Sequence, residues 1–243
     1  MRRLRDYSLC LCLLLLWPLA VNADDSWRQI QTEARGQTVW FNAWGGDPAV
    51  NRYLAWVSEE VKRYYAIDLR IVPVADAADA VKRIQTEAQA GRRQGGSVDL
   101  LWINGENFRT LKQGTLRLSL TFNPLHARQK AASGELPTDS YSFGFTVGTL
   151  GNVHFVTIPA NARAIAGAKV VANFLLSPEA QLRKADAAVW GDPSVLDPQR
   201  LPDGQRQALA AALPQDLPPV LAEPHAAWVD ALEQEWLRRY GTH

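Results

Sequence analysis

The sequence predicts an α/β protein with a parallel sheet in its first half. Strand-like and helix-like segments alternate strictly between Thr38 and Ile103. The last of them, Val98-Asp99-Leu100-Leu101-Trp102-Ile103, is a nearly continuous apolar run of the kind that parallel strands buried on both faces require. Each junction also carries its own turn or cap residues, so strand, helix, strand, helix, strand implies right-handed crossovers.

Taken in order, Thr38 to Phe41 reads as a short buried strand, and Asn42-Ala43-Trp44-Gly45-Gly46 as the turn after it. Asp47 and Pro48 supply a cap and a first helical residue. In the helix that follows, Val50, Tyr53, Leu54, Val57, Val61 and Tyr64 recur at three and four and predict one buried face, with Glu59, Glu60, Lys62 and Arg63 in water. Leu69 to Val74 is the second strand. Asp76, with Asp79 three residues later, resembles a cap, and Ala77, Ala80, Val81, Ile84 and Ala88 form the stripe of the second helix. Gly91 to Ser97 closes the unit, and Val98 to Ile103 is the third strand.

The pattern then changes abruptly. A helix barely begun at Arg109 to Lys112 meets Gly114 and the strict alternation Leu116, Leu118, Leu120, Phe122. Ala127 to Ala132 reads as a short helix stopped by Gly134, and Tyr141 to Phe145 as a strand. In the segment Gly148 to Lys184, Asn152 to Ile158 is strand-like and Pro159 ends it. Ala162 to Leu176 has apolar Ala166, Val170, Val171, Phe174 and Leu175 at helical spacing. Ser177, Pro178 and Glu179 then restart the helix, because a Ser cap, a Pro at the first position and an acid behind it suit the free N–H groups there. The last helix places Trp228, Leu232, Glu235 and Trp236 on one side, as a packing arm.

That wording, a strand ending in Ile-Pro-x-Asn-Ala followed by Val-Ala-Asn-Phe-Leu-Leu-Ser-Pro-Glu-Ala-Gln, resembles the C-terminal lobe of ABC-transporter periplasmic solute-binding proteins, in particular their thiamine-like branch. The resemblance covers nearly the whole chain. It implies a type II periplasmic-binding fold of two α/β lobes. In that family the Ile-Asn-Gly-Glu-Asn-Phe loop is followed by a hinge and most of the second lobe before a strand like Thr-Leu-Arg-Leu-Ser-Leu-Thr-Phe-Asn-Pro. Here the two abut, which implies an internal deletion near residues 112–114 and an incomplete second lobe. The expected division is a leader at 1–23, a first lobe at 24–113, and a second-lobe remnant with C-terminal helices at 114–243.

The N-terminus agrees with export. Arg2, Arg3 and Arg5 precede the apolar run Leu9 to Leu19, and Val21-Asn22-Ala23 offers small residues for cleavage after Ala23. A membrane anchor is the rival, but the run is well short of the ~20 residues a spanning helix needs. Cys10 and Cys12, the two cysteines of the chain, lie within that run, so the mature protein is expected to carry no thiol, no disulfide and no sulfur-ligated metal. Loss of the leader removes three Arg and one Asp and takes the net charge from +1 to −1. No basic stripe remains, which argues against nucleic acid. At 47% hydrophobic and 21% charged residues the chain can build a packed core.

Three loops are candidate binding elements. Trp44-Gly45-Gly46-Asp47 lies between a strand end and a helix start, where open parallel sheets place ligands and glycine lets backbone approach closely. Its plain alternative is a tight turn with Trp44 packed. Asn104-Gly105-Glu106-Asn107 leaves the third strand at the same edge, and Glu106 could pair with a cation. Alternatively Asn104 or Asn107 is a helix cap and Glu106 a solvated acid. Asn123 ends the alternating strand, as a cap or as a second-lobe contact. The resemblance favours ligand binding by Trp44, Gly45, Asn104, Glu106, Asn107 and Asn123. No nucleophile elbow, phosphate loop or dinucleotide motif is present, and His126, His154, His225 and His243 lack metal spacing. No catalytic residue, cofactor or metal is therefore expected, although a carboxylate pair of a secreted hydrolase leaves no mark in sequence. The resemblance implies a monomeric periplasmic protein that captures a small solute, thiamine-like or otherwise cationic or polar, and delivers it to an inner-membrane ABC permease. A secreted hydrolase and a non-functional remnant are the alternatives.

Overall fold

A computed structural model describes residues 23–104, 147–150, 154–186, 188–212, 220–221, 228, 231–232, 234–235 and 238–239. A helix that the sequence reading did not anticipate comes first, α1 (Ala23–Ala34). It is followed by β1 (Thr38–Trp44), α2 (Pro48–Tyr65), β2 (Asp68–Val74), α3 (Ala77–Gln89) and β3 (Leu100–Asn104). After the next described residues come β4 (Thr149–Leu150), β5 (His154–Thr157), α4 (Ile165–Leu175), α5 (Pro178–Ala185), a 3-10 turn at Pro198–Arg200, α6 (Asp203–Ala212) and β6 (Val220–Leu221). Residues 1–22 of the leader, the junction at 112–114, the alternating strand through Asn123, the helix at 127–132 and the strand at 141–145 lie outside the described residues.

The α/β expectation holds. The main sheet has the order β2-β1-β3-β5. β1 pairs in parallel with β2 and with β3, and β5 adds antiparallel to β3, with Leu101 opposite Thr157 and Asn104 opposite His154. Strands β4 and β6 form a separate two-stranded parallel sheet.

Alternation along β1 decides the layers. Val39, Phe41 and Ala43 join Leu69, Leu100 and Trp102 in a core covered by Val50, Leu54, Val57 and Val61 of α2 and by Val170, Val171 and Phe174 of α4. Leu101 and Ile103 face the other way, against Ala80, Val81 and Ile84 of α3. A smaller cluster of Ala185, Leu201 and Leu209 ties α5 to α6. β5 and α4 follow the division expected after residue 113, yet they share the sheet and core of elements that precede it.

Local signals behave as their chemistry requires. Asp47 Oδ1 accepts from the N–H of Ala49 at 2.7 Å and of Val50 at 3.2 Å, and Pro48 opens α2. Ser177 Oγ accepts from Ala180 N at 3.2 Å ahead of Pro178. α2 ends on Ala66 in the left-handed region at φ 54°, with its N–H on Lys62 O. Tyr64, read as part of the buried face, is exposed and carries the Arg63 guanidinium 4.3 Å over its ring. At the chain end Trp228 and Leu232 are also exposed.

α4 has no cap of its own, since Ala164 offers no side-chain oxygen. Asp99 substitutes from the start of β3, its Oδ1 accepting from Arg163 N at 2.7 Å and Ala164 N at 2.9 Å while Oδ2 accepts from Trp40 N at 3.0 Å. Gln37 Oε1 takes the Gly167 N–H at 2.9 Å. A β-carbon at Gly167 would stand 2.7 Å from Val39 Cγ2, so glycine permits this close approach of helix to strand. Among the described residues no helix is long and apolar enough to cross a membrane.

Candidate functional site

The parallel pairing of β1 with β2 and β3 brings three carboxyl ends to one edge of the sheet, where open α/β proteins place their ligands. β1 runs further than the sequence reading had it: Asn42, Ala43 and Trp44 remain in the strand, paired with Val72, Pro73 and Val74. The turn is confined to Gly45 and Gly46. Gly45 N–H donates to Val74 O at 3.2 Å, and its carbonyl accepts from Asn51 Nδ2 at 3.0 Å, so the loop is held by both β2 and α2. The Trp44 indole folds across Gly46 so closely that a β-carbon there would overlap its ring. Trp44 still keeps 39% of its surface open.

That ring forms one wall of a cleft of about 200 Å³, completed by Ala75, Asp76 and Ala77 at the start of α3 and by Trp102, Ile103 and His154. His154 stands edge-on to Trp102, ring centres 5.2 Å apart and planes at 87°. Asp76 Oδ1 caps Ala78 N at 2.8 Å, and its carboxylate is exposed at the rim. Two indoles and an acid around an open space suit a cation: the aromatic faces attract positive charge, and the carboxylate adds a partner.

Of the residues expected at a site, Trp44 lines the cleft and Gly45 holds the loop beside it. Asn104 ends β3 at the same edge of the sheet, its backbone in register with His154. Glu106, Asn107 and Asn123 lie outside the described residues. Sequence reasoning missed three lining groups. Asp76 was read as a cap, which it is, and Trp102 as strand core. His154 was read as an isolated histidine; only the antiparallel return of β5 brings it to the cleft. The one signal in the chain was the spacing of Trp102, two residues before a predicted loop on the ligand edge.

Behind the cleft lies a buried ion pair. Lys184 Nζ stands 3.7 Å from Asp192 Oδ2 and donates to Pro193 O at 2.7 Å, while Asp192 N–H donates to Lys184 O at 2.9 Å. Burial pushes Asp192 up to about 8 and Lys184 down to about 8, against the attraction between them. Lys184 Nζ also lies 5.6 Å from the centre of the Trp190 ring. Burial likewise raises the Tyr53 phenol, whose hydroxyl donates to Ala180 O at 3.2 Å. Among the described residues no group of three or more His, Cys, Asp or Glu could hold a metal ion.

An open, parallel-dominated sheet with helices on both faces and an aromatic cleft at its strand ends defines an α/β protein of the open-sheet class. The chain is 46% identical to Protein YnjB of Escherichia coli (strain K12) over 389 residues, an alignment that takes in 99% of this chain and 100% of that protein, and it belongs to the YnjB family. No family model matches. Solved structures with some likeness include an ABC transporter protein from Clostridium perfringens (9% identity, TM-score 0.49, 84% of this chain and 98% of that one). Others are the periplasmic binding protein AgtB of Agrobacterium tumefaciens in complex with agropinic acid (12%, 0.48, 84% and 98%) and AttC of the same genus and species in open unliganded form (13%, 0.46, 85% and 99%).

Proposed function

We propose that this chain is the substrate-binding component of an ABC importer, exported by a leader cleaved after Ala23, and that it takes up a small polar solute with a cationic group. The observation that carries this reading is the strand-end cleft walled by Trp44, Trp102 and His154 with Asp76 at its rim. The sequence resemblance over Ile158 to Gln181 and the order of charged, apolar and small residues in the leader support it. Thiamine-like molecules and polyamines have the required charge. A cation on a desolvated indole face contributes about 2 kcal/mol, roughly thirtyfold in affinity. Glu106, Asn107 and Asn123 are proposed as further contacts, the monomer as the working form, and an inner-membrane permease as the partner. The protein's role is capture and delivery, with no covalent step.

In the same reading, residues 24–113 belong to a first lobe, and 114–243 hold what remains of a second lobe together with elements that return to the first sheet. A stretch of chain is missing. An alignment running over 389 residues against a chain of 243 supports this, and the half-length helix before Gly114 suggests where. Closure normally covers a solute from both sides. Loss of one wall would weaken a micromolar binder, about −8 kcal/mol, toward millimolar, about −4 kcal/mol.

A thermal-shift screen of the mature chain against thiamine, spermidine and neutral sugars tests the reading. Cationic solutes are expected to raise the midpoint, and Trp44→Ala to remove the effect. A response confined to neutral sugars, or one indifferent to Trp44→Ala, overturns it. Calorimetry against a version carrying the relative's additional segment is expected to show the tighter binding in the longer form; equal, tight binding by both would make the short chain a complete receptor.

A further inference from the structure

On the α2 side of the sheet, beneath the cleft, lies a second cavity, walled by Phe41, Tyr53, Trp102, Val156, Leu175 and Trp190. We propose that it is a binding site in its own right, for a small uncharged aromatic ring. Its volume, about 70 Å³, leaves room for more than a single water. Among the residues that line it, Phe41, Tyr53, Trp102 and Trp190 are aromatic, with the Trp190 ring centre 5.2 Å from that of Tyr53 and 5.6 Å from that of Trp102.

The polar ends of Gln181, Lys184 and Tyr53 on its border set the ligand class, because they already serve the protein. Gln181 donates through Nε2 to Leu175 O at 2.7 Å, and its Oε1 accepts from Val195 N at 3.1 Å. Lys184 donates to Pro193 O and neighbours Asp192, and the Tyr53 hydroxyl donates to Ala180 O. A charged guest would leave water without recovering its hydrogen bonds, whereas an uncharged ring gives up little. Trp102 and His154 border both this cavity and the cleft. The ring therefore has two possible sources of one chemistry: a free small molecule, or the apolar end of a solute whose polar head sits in the cleft. The second source rests on the function proposed above; the first stands without it.

Fluorobenzene and 4-fluorobenzylammonium, each titrated into the mature protein and followed by fluorine NMR, separate the two. Saturable binding of fluorobenzene, unchanged in Trp44→Ala, is the expected result. Val195→Phe, on a loop, and Val156→Phe, in β5, each fill the cavity and are expected to weaken binding about tenfold or more; if one fails to fold, the other carries the test. Tighter binding of the ammonium compound that weakens in Trp44→Ala identifies the ring as one end of a cleft solute, and weaker binding identifies a free molecule. No saturable binding of either probe, or binding that survives the filled variants, overturns the proposal.

Discussion

The carboxylate of Asp99 caps Ala164, its Oδ1 accepting that residue's N–H at 2.9 Å across 65 positions of sequence. The same side chain receives Arg163 N and Trp40 N, so one buried acid joins β1, β3 and the start of α4. Asp99→Ala is expected to cost about 3 kcal/mol or more, because three backbone donors lose a charged acceptor. Asp99→Asn, which keeps one good acceptor, should cost less. Urea melts of both variants check the ranking; an Ala variant as stable as the parent would refute the cap.

The Lys184–Asp192 pair should give stability an unusual pH profile. Asp192 titrates at 3.8 unfolded and about 8 folded, so the folded chain holds the extra proton and stability falls as pH rises through that window. Lys184 titrates at 10.5 unfolded and about 8 folded, so the unfolded chain holds the extra proton and stability recovers above pH 8. Measured against Lys184→Met/Asp192→Leu, the parent should show its minimum near pH 8. Each single substitution should destabilise, because it leaves the other polar side chain buried without its partner, and the double one should cost less. A flat difference between parent and double variant from pH 5 to 10 would contradict this.

Asn42 is buried in β1, and neither its Oδ1 nor its Nδ2 has a hydrogen-bond partner among the described residues. Asn42→Leu is expected to stabilise by about 1–3 kcal/mol, the cost of an unsatisfied buried amide. Calorimetry should register a rise of several degrees in midpoint. A fall would mean that the amide has a role which the sheet alone does not give it.

Gly46→Ala should dislodge the Trp44 indole, because the added methyl takes the ring's place. Acrylamide quenching, read as the difference between each protein and its Trp44→Phe counterpart, should report a more accessible Trp44 in the variant. Equal quenching would show that the ring does not depend on Gly46.

What the sequence disclosed was what its interactions keep local. Asp47 with Pro48 and Ser177 with Pro178 announce helix starts because the acceptor and its donors lie within three residues. The buried face of α2 was legible from its period, except Tyr64, where the helix runs past the core it covers. Asn42 to Trp44 were read as turn because Gly45-Gly46 follows, yet pairing with Val72 to Val74 holds them in the strand. Asp99 went unremarked within an apolar run, since its partners are 59, 64 and 65 residues away. Trp102 and His154 became neighbours through an antiparallel return that no local pattern encodes.

Because Asn104 and His154 are direct register partners, the chain departs from the sheet and rejoins it at nearly one point, about 5 Å across. Everything from 105 to 153 is therefore, in topological terms, a detour with its two ends pinned together. Such a detour can be shortened, lengthened or exchanged during evolution without altering a single rung between β3 and β5. The same arrangement orders folding: the β3 edge stays unpaired until residue 154 reaches it. A shorter detour lowers the entropy cost of bringing those two ends together, and a longer one raises it only slowly.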